Sequence, residues 1–188
     1  MKRIAIFASG NGSNFQALAE ACRDGRIPAE VSLLVVDKPG AYVIERACNF
    51  PGVETLVFSP KDYPSRKDYE KVIADRMDEL GIELVCLAGY MRIVGSELLS
   101  RYGGRIINIH PALLPSFKGA HAIRDAFEYG VKVFGVTIHY VDETLDGGKI
   151  ISQAAFPYEG NDIEELETKI HALEHPLYID TVARMLQQ

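Results

Sequence analysis

The chain has no tryptophan and only three cysteines, Cys22, Cys48 and Cys86. Their number is odd, they lie far apart and no C-x-x-C spacing occurs, which excludes a disulfide framework or a zinc knuckle as the organising device. All three are expected as reduced thiols in the core. Long apolar runs are also missing. No stretch approaches the roughly 20 residues of a membrane-spanning helix, and the opening IAIFA gives way to glycine too soon for a signal peptide. A cytoplasmic protein with no membrane partner is expected. Nor is positive charge in surplus: 20 Lys and Arg stand against 26 Asp and Glu. With neither sign gathered into a run, the electrostatic footprint of a nucleic-acid binder is lacking. Repeats and low-complexity tracts are absent too, which excludes solenoids and disordered arrays.

What remains is a globular composition, 47% apolar and 24% charged over 188 residues, the size of a single domain spanning 1–188. Arg3 to Ala8 reads as a strand, followed by the turn SGNGS and a helix on which Phe15, Leu18, Ala19 and Cys22 recur at helical spacing. VSLLVV forms a second strand, a short helix runs from Tyr42 to Cys48, and Glu54 to Phe58 is a third strand. Ser65 caps a helix whose apolar face is Tyr69, Val72, Ile73, Met77 and Leu80, and Gly81 stops it. LVCLAG has the two-sided apolarity of a central parallel strand. A helix at Ser96 to Tyr102, a strand at Arg105 to His110 and a helix at His121 to Tyr129 follow. VFGVTIHYV and KIISQAAF pair antiparallel across DETLDGG, and the tail from Ile163 to Leu186 is helical, with Pro176 expected to kink or divide it. The class is α/β: a Rossmann-like open, mostly parallel sheet with helices on both faces and an antiparallel strand in the C-terminal half.

In such sheets ligands gather beyond the C-terminal strand ends. The turn SGNGSN presents backbone N–H groups and a helix N-terminus, which suit a phosphate. It lacks the third glycine of the dinucleotide fingerprint and the lysine of a P-loop. The plainer alternative is a helix start capped by Ser13 or Asn14. Asn108 and His110, two apart on a strand, share a face, and Pro111 ends the strand behind them. Histidine is suited to acid–base work near neutral pH and the Asn amide to stabilising a developing oxyanion; a satisfied polar pair at a strand end is the alternative. Asp146 in LDGG offers a carboxylate, or simply a turn residue. No covalent nucleophile stands in a reactive setting, and the five histidines form no metal-ligand pattern, so metal-free transfer or hydrolysis is the expected class.

Four segments taken together, FASGNGSNFQAL, LAGYMRIV, INIHPALLPSFKG and HYVDETLDGG, resemble the glycinamide ribonucleotide formyltransferase family of purine synthesis, in order from about Arg3 to Glu174. The resemblance implies the formyltransferase fold, with a ribonucleotide-binding N-terminal half and a folate-binding C-terminal half. It implies glycinamide ribonucleotide and 10-formyltetrahydrofolate as substrates, with no metal. Gly12, Ser13, Asn14 and Glu174 would hold the ribonucleotide. Arg66, Met91, Arg92, Ile93, Val94 and Asn108 would hold the folate, and Asn108, His110 and Asp146 would form the catalytic group. Taken singly, Arg66 reads as a solvated first-turn residue, Glu174 as a surface carboxylate, and Met91, Ile93 and Val94 as core.

The implied reaction is direct attack of the substrate amine on the formyl carbon. Asn108 and protonated His110 would stabilise the oxyanion, with Asp146 orienting the imidazole. Two departures from the family pattern stand out: Lys149 replaces a proline after the Asp-containing loop, and the chain ends at Gln188, which bears on edge protection and oligomer contacts. A formyltetrahydrofolate hydrolase would share the catalytic residues but let water attack, and usually carries an N-terminal regulatory domain. A non-catalytic folate or phosphate sensor would not need all three polar residues. Oligomeric state is left open, a homodimer included.

Overall fold

β1 (Lys2–Ala8) shows how this chain builds its layers. Side chains alternate across a strand, so Ile4, Ile6 and Ala8 enter one apolar cluster while Ala5 and Phe7 enter another on the opposite face. The remaining strands are β2 (Ala29–Val36), β3 (Glu54–Val57), β4 (Leu84–Leu87), β5 (Ile106–His110), β6 (Val133–Tyr140) and β7 (Ile150–Pro157). They form one seven-stranded sheet in the order β3-β2-β1-β4-β5-β6-β7. Pairing is parallel from β3 to β5, and β6 runs antiparallel to both β5 and β7. This is the expected open sheet. The computed structural model describes residues 1–187.

The helices are α1 (Ser13–Arg23), α2 (Tyr42–Ala47), α3 (Arg66–Leu80), α4 (Ser96–Tyr102), α5 (Ala122–Tyr129) and α6 (Ile163–Leu186). One face of the sheet is covered by α1 and α6, through Phe15, Leu18, Ile170, Tyr178 and Val182. The other is covered by α3 and α4, through Tyr69, Ile73, Met77, Leu98 and Tyr102. Each such large apolar side chain contributes about 1.5–3 kcal/mol on full burial, so both faces are held by many comparable contributions. Ser65 caps α3 by accepting the Asp68 N–H at 3.3 Å, and Gly81 closes it in the left-handed region. Asp162 caps α6 by accepting from Glu164 and Glu165.

Three expectations are corrected. Pro176 does not divide the terminal helix, which runs unbroken for 24 residues. A proline sacrifices one helical hydrogen bond, and the buried residues before and after it, Leu166, Ile170, Tyr178 and Val182, keep both halves on the sheet. Cys48 is exposed at the end of α2, and Cys22 is partly buried; only Cys86 is fully in the core. On α3 the buried face takes Glu70 and leaves Val72 in solvent.

Candidate active site

β4 ends at Leu87, opposite Asn108, whereas β5 continues to His110. His110 therefore overhangs its parallel neighbour, and Pro111, with no N–H, cannot prolong the ladder. Asn108 and His110 share the face of Ile106, while Ile107 and Ile109 enter the opposite cluster. A cleft of about 290 Å³ opens at this overhang. Its walls are the segment Gly89 to Val94, the end of β5, Gly119 and Ala120, and the β6–β7 loop as far as Asp146. Met91, Ile93 and Leu145 are large apolar side chains left mostly exposed around it.

At the polar end of the cleft the carboxylate of Asp146 lies between two imidazoles. Its Oδ2 is 3.6 Å from His110 Nδ1 and its Oδ1 is 3.9 Å from His139 Nε2. Neither is a direct hydrogen bond at that distance, but both rings face the same charge. Asp146 Oδ2 accepts the Gly119 N–H at 2.8 Å. His110 Nε2 donates to the Phe117 carbonyl at 2.8 Å. His139 is the antiparallel register partner of Asn108. Its Nδ1 donates to the Tyr140 carbonyl at 2.8 Å, which leaves Nε2 to accept from Asn108 Nδ2 at 3.2 Å. Burial lowers the His139 pKa against the opposing pull of that carbonyl and of Asp146, so the ring stays neutral and keeps the lone pair Asn108 needs. The Asn108 amide is thereby oriented, with one N–H used and the other free.

The segment from Gly89 to Gly95 is tied at three places. Ser9 Oγ accepts the Met91 N–H at 2.8 Å, and Arg92 Nε donates to buried Asp37 at 2.9 Å. Glu70 accepts from Gly95 N at 2.6 Å and Leu98 N at 3.3 Å. That double acceptance explains a carboxylate in the core, although burial still raises its pKa, the two backbone donors opposing. Val94 is buried, while Met91, Arg92 and Ile93 are exposed. Arg66 does not line the cleft; its exposed chain passes beside Gly95, where an added Cβ would stand 2.8 Å from Arg66 Cδ.

Gly12, Ser13 and Asn14 lie outside the cleft, at the start of α1, where Glu174 of α6 meets them. Gly12 is the N-cap, in the left-handed region, and no side chain caps the helix. Neither Ser13 nor Asn14 is thus spent as a cap. Asn14 instead donates to Glu174 Oε2 at 3.0 Å, an atom that also pairs with His171 Nδ1 at 3.0 Å. The Asn14 Oδ1 is buried with no partner among the described residues. Phosphate-sized anions suit such an uncapped N-terminus. Among the described residues, no group of three or more His, Cys, Asp or Glu side chains converges as a metal site, and no helix is long and apolar enough to cross a membrane.

The family described as formyl transferase matches residues 2–182. The chain is 47% identical to phosphoribosylglycinamide formyltransferase of Bacillus subtilis over 187 residues, covering 99% of this chain and 95% of that protein. The chain belongs to the formyl transferase family. The crystal structure of phosphoribosylglycinamide formyltransferase from Bacillus halodurans superposes with a TM-score of 0.95 at 50% identity, covering 100% of this chain and 96% of that one. The trifunctional purine biosynthetic protein adenosine-3 of Drosophila pseudoobscura is 44% identical over 93% of this chain, which spans 13% of that protein's length.

In this formyl transferase the structure brings Asn108, His110, Asp146 and Met91 to Val94 around one cleft, and Asn14 to Glu174 at a second place. Sequence reasoning missed His139, Glu70 and Phe117 as partners of those residues. A signal for His139 exists in the strand TIHY, where Thr137 and His139 repeat the two-residue spacing of Asn108 and His110. The antiparallel register pairs the two sets, Asn108 with His139 and His110 with Thr137. Glu70 and the Phe117 carbonyl carry no comparable local signal.

Proposed function

We propose that this chain transfers the formyl group of 10-formyltetrahydrofolate to the free amine of glycinamide ribonucleotide, acting as a single cytoplasmic domain. The observation that carries the reading is the meeting of Asn108, His110 and Asp146 at the polar end of a cleft with an apolar rim. Membership of the formyl transferase family supports it. The folate is a consumed substrate: the amine nitrogen bonds to the formyl carbon, the bond from that carbon to the folate nitrogen breaks, and one proton passes from amine to folate nitrogen.

The residues divide the work. The remaining Asn108 N–H is available to donate to the oxygen that gains charge as the amine adds, and a donor set before the reaction needs no reorganisation. His110 supplies an imidazole beside it for acid–base work, and the Asp146 carboxylate, 3.6 Å from its Nδ1, orients the ring and stabilises positive charge developing on it in the transition state. Met91, Ile93 and Leu145 form the apolar border that fits a flat heteroaromatic ring, with Arg66 and Arg92 as nearby cations. Gly12, Ser13 and Asn14 bind the ribonucleotide phosphate through the uncapped start of α1, and Glu174 touches the same substrate from the adjoining helix. Holding the two substrates side by side removes much of the entropic barrier.

The test is to supply 10-formyltetrahydrofolate with and without glycinamide ribonucleotide and follow release of the folate. Release that requires the amine is expected. Asn108→Ala and His110→Ala should each lower kcat by at least about a hundredfold, with circular dichroism and ribonucleotide binding retained. Release that proceeds equally without amine, or wild-type turnover in His110→Ala, overturns the assignment.

A further inference from the structure

The segment Phe117 to Gly119 touches both partners of the acid–base pair. The Phe117 carbonyl accepts from His110 Nε2 at 2.8 Å, and two residues later the Gly119 N–H donates to Asp146 Oδ2 at 2.8 Å. Asp146 in turn faces His110 Nδ1 at 3.6 Å. His110, Phe117, Gly119 and Asp146 thus close a ring around the catalytic imidazole.

A carbonyl oxygen can only accept a hydrogen bond. While that bond is made, Nε2 therefore carries the proton of the neutral ring, and Nδ1 is the nitrogen that faces Asp146. The backbone points the same way. Among the described residues only two non-glycine residues have positive φ, Phe117 at 54° and Asp146 at 48°. These are the two residues that flank His110. A bulky side chain in the left-handed region is an outlier that the surrounding structure must enforce.

For Phe117 the enforcing contacts are visible. Its ring is partly buried against the larger apolar cluster and meets Tyr129 of α5 edge-on, with centroids 5.8 Å apart. The loop's beginning is pinned independently: Thr137 Oγ1 accepts the Leu114 N–H at 3.0 Å and donates to the Ala112 carbonyl at 2.7 Å. Between a pinned start and an anchored ring, the Phe117 carbonyl has one direction to face. We propose that Phe117 is a positioning residue: its anchored ring holds a strained backbone so that its carbonyl sets the tautomer and orientation of His110. This rests on the assignment of His110 as catalytic.

Two measurements separate the inference from that assignment. The first is nitrogen NMR of imidazole-labelled protein, which reports the tautomer of neutral His110 whatever its catalytic role. Wild type should show the proton on Nε2, and Phe117→Ala should show a mixture. The second is kinetic. Phe117→Ala should lower kcat about tenfold or more, Phe117→Tyr should stay within about twofold because the ring is kept, and the KM for glycinamide ribonucleotide should move less than about twofold in both. If Phe117→Ala fails to fold, Tyr129→Ala replaces it; Tyr129 is 80% exposed and outside the cleft, and losing its edge contact should lower kcat about two- to tenfold. Unchanged tautomer and unchanged kcat in the folded variant overturn the positioning role. Wild-type turnover in His110→Ala, with the tautomer still sensitive to Phe117, would instead overturn the catalytic assignment and leave the contact standing.

Discussion

Gly12→Ala should do more damage than any other glycine substitution in the first turn, and the structure says by how much. A Cβ at Gly12 would lie 2.3 Å from Val43 Cγ2, 2.6 Å from Val43 Cβ and 3.0 Å from Val43 Cα. Residue 12 also sits at φ 79°, where a non-glycine residue costs roughly 1–2 kcal/mol. Forcing α2 away from the turn adds about 1–3 kcal/mol by analogy with overpacked cores. The combined loss is about 2–5 kcal/mol, or about 4–20 °C in Tm for a chain of this size.

Comparators isolate the two costs. Gly25 has φ 78° and nothing within 4 Å of an added Cβ, so Gly25→Ala should show the backbone cost alone. Gly10→Ala meets nothing within 4 Å and has no positive φ, so it should stay within about 0.5 kcal/mol of wild type. Urea unfolding of the three variants gives the stabilities, and steady-state kinetics should show a raised KM for glycinamide ribonucleotide in Gly12→Ala only. Val43→Ala in the Gly12→Ala background should restore part of the loss by removing Cγ2, the nearest of the three struck atoms. If Gly12→Ala and Gly25→Ala prove equally destabilised, the close approach of α2 is not what constrains the turn.

Glu70→Ala strips the acceptor from two backbone donors at the start of α4 and should cost about 1–3 kcal/mol for each one left buried and unpaired. Because those donors follow the cleft segment, the KM for 10-formyltetrahydrofolate should rise while that for the ribonucleotide stays put; equal changes in both would refute a local role. His171 is raised above its ordinary pKa chiefly by its hydrogen bond to Glu174, with burial opposing. A raised histidine adds stability that is fully present below the unfolded pKa of about 6.5 and lost as pH rises through the folded value. The Tm gap between wild type and His171→Gln should thus be wider near about pH 5.5 than near about pH 8.5, and small throughout because the side chain is 54% exposed. A gap that widens with pH would contradict the pairing.

What could be read from sequence was whatever depends on neighbours along the chain. The alternation of Ile107 and Ile109 against Asn108 and His110 is a local property of any strand, and it places the polar pair on one face without reference to any tertiary contact. Ser65 and Gly81 marked the ends of α3 because capping is also local. Partners set by register or by helix docking were not readable. His139 reaches Asn108 only because β6 pairs antiparallel with β5 in one register, and Glu70 is buried only because α4 brings its first N–H groups to α3. Pro176 shows the reverse relation, a local rule overridden because the helix is held by the sheet on both sides of it. Asp146 stood between: its turn chemistry was local, but its partner was implied by family resemblance and not by spacing.

The proximity of the two proposed substrate sites follows from the strand order. From β1 the chain moves outward through β2 to β3, then returns to β4 beside β1 and moves outward the other way to β5. The loop after β1 therefore leads to α1 on one face and the loop after β4 toward α4 on the other, and a crevice forms where they part. At that point two hydrogen bonds cross between the loops: Ser9 N–H donates to the Gly89 carbonyl at 3.1 Å, and Met91 N–H donates to Ser9 Oγ at 2.8 Å. Ser9 opens the turn assigned to the phosphate, and Met91 begins the wall assigned to the folate. A displacement of either loop must strain or break these bonds, so the two proposed substrate sites are placed relative to one another by the backbone of adjacent central strands. Asn108 and His110 project from β5, the next strand along, which sets the proposed catalytic groups beside the loop after β4, with that one strand between them and the turn after β1.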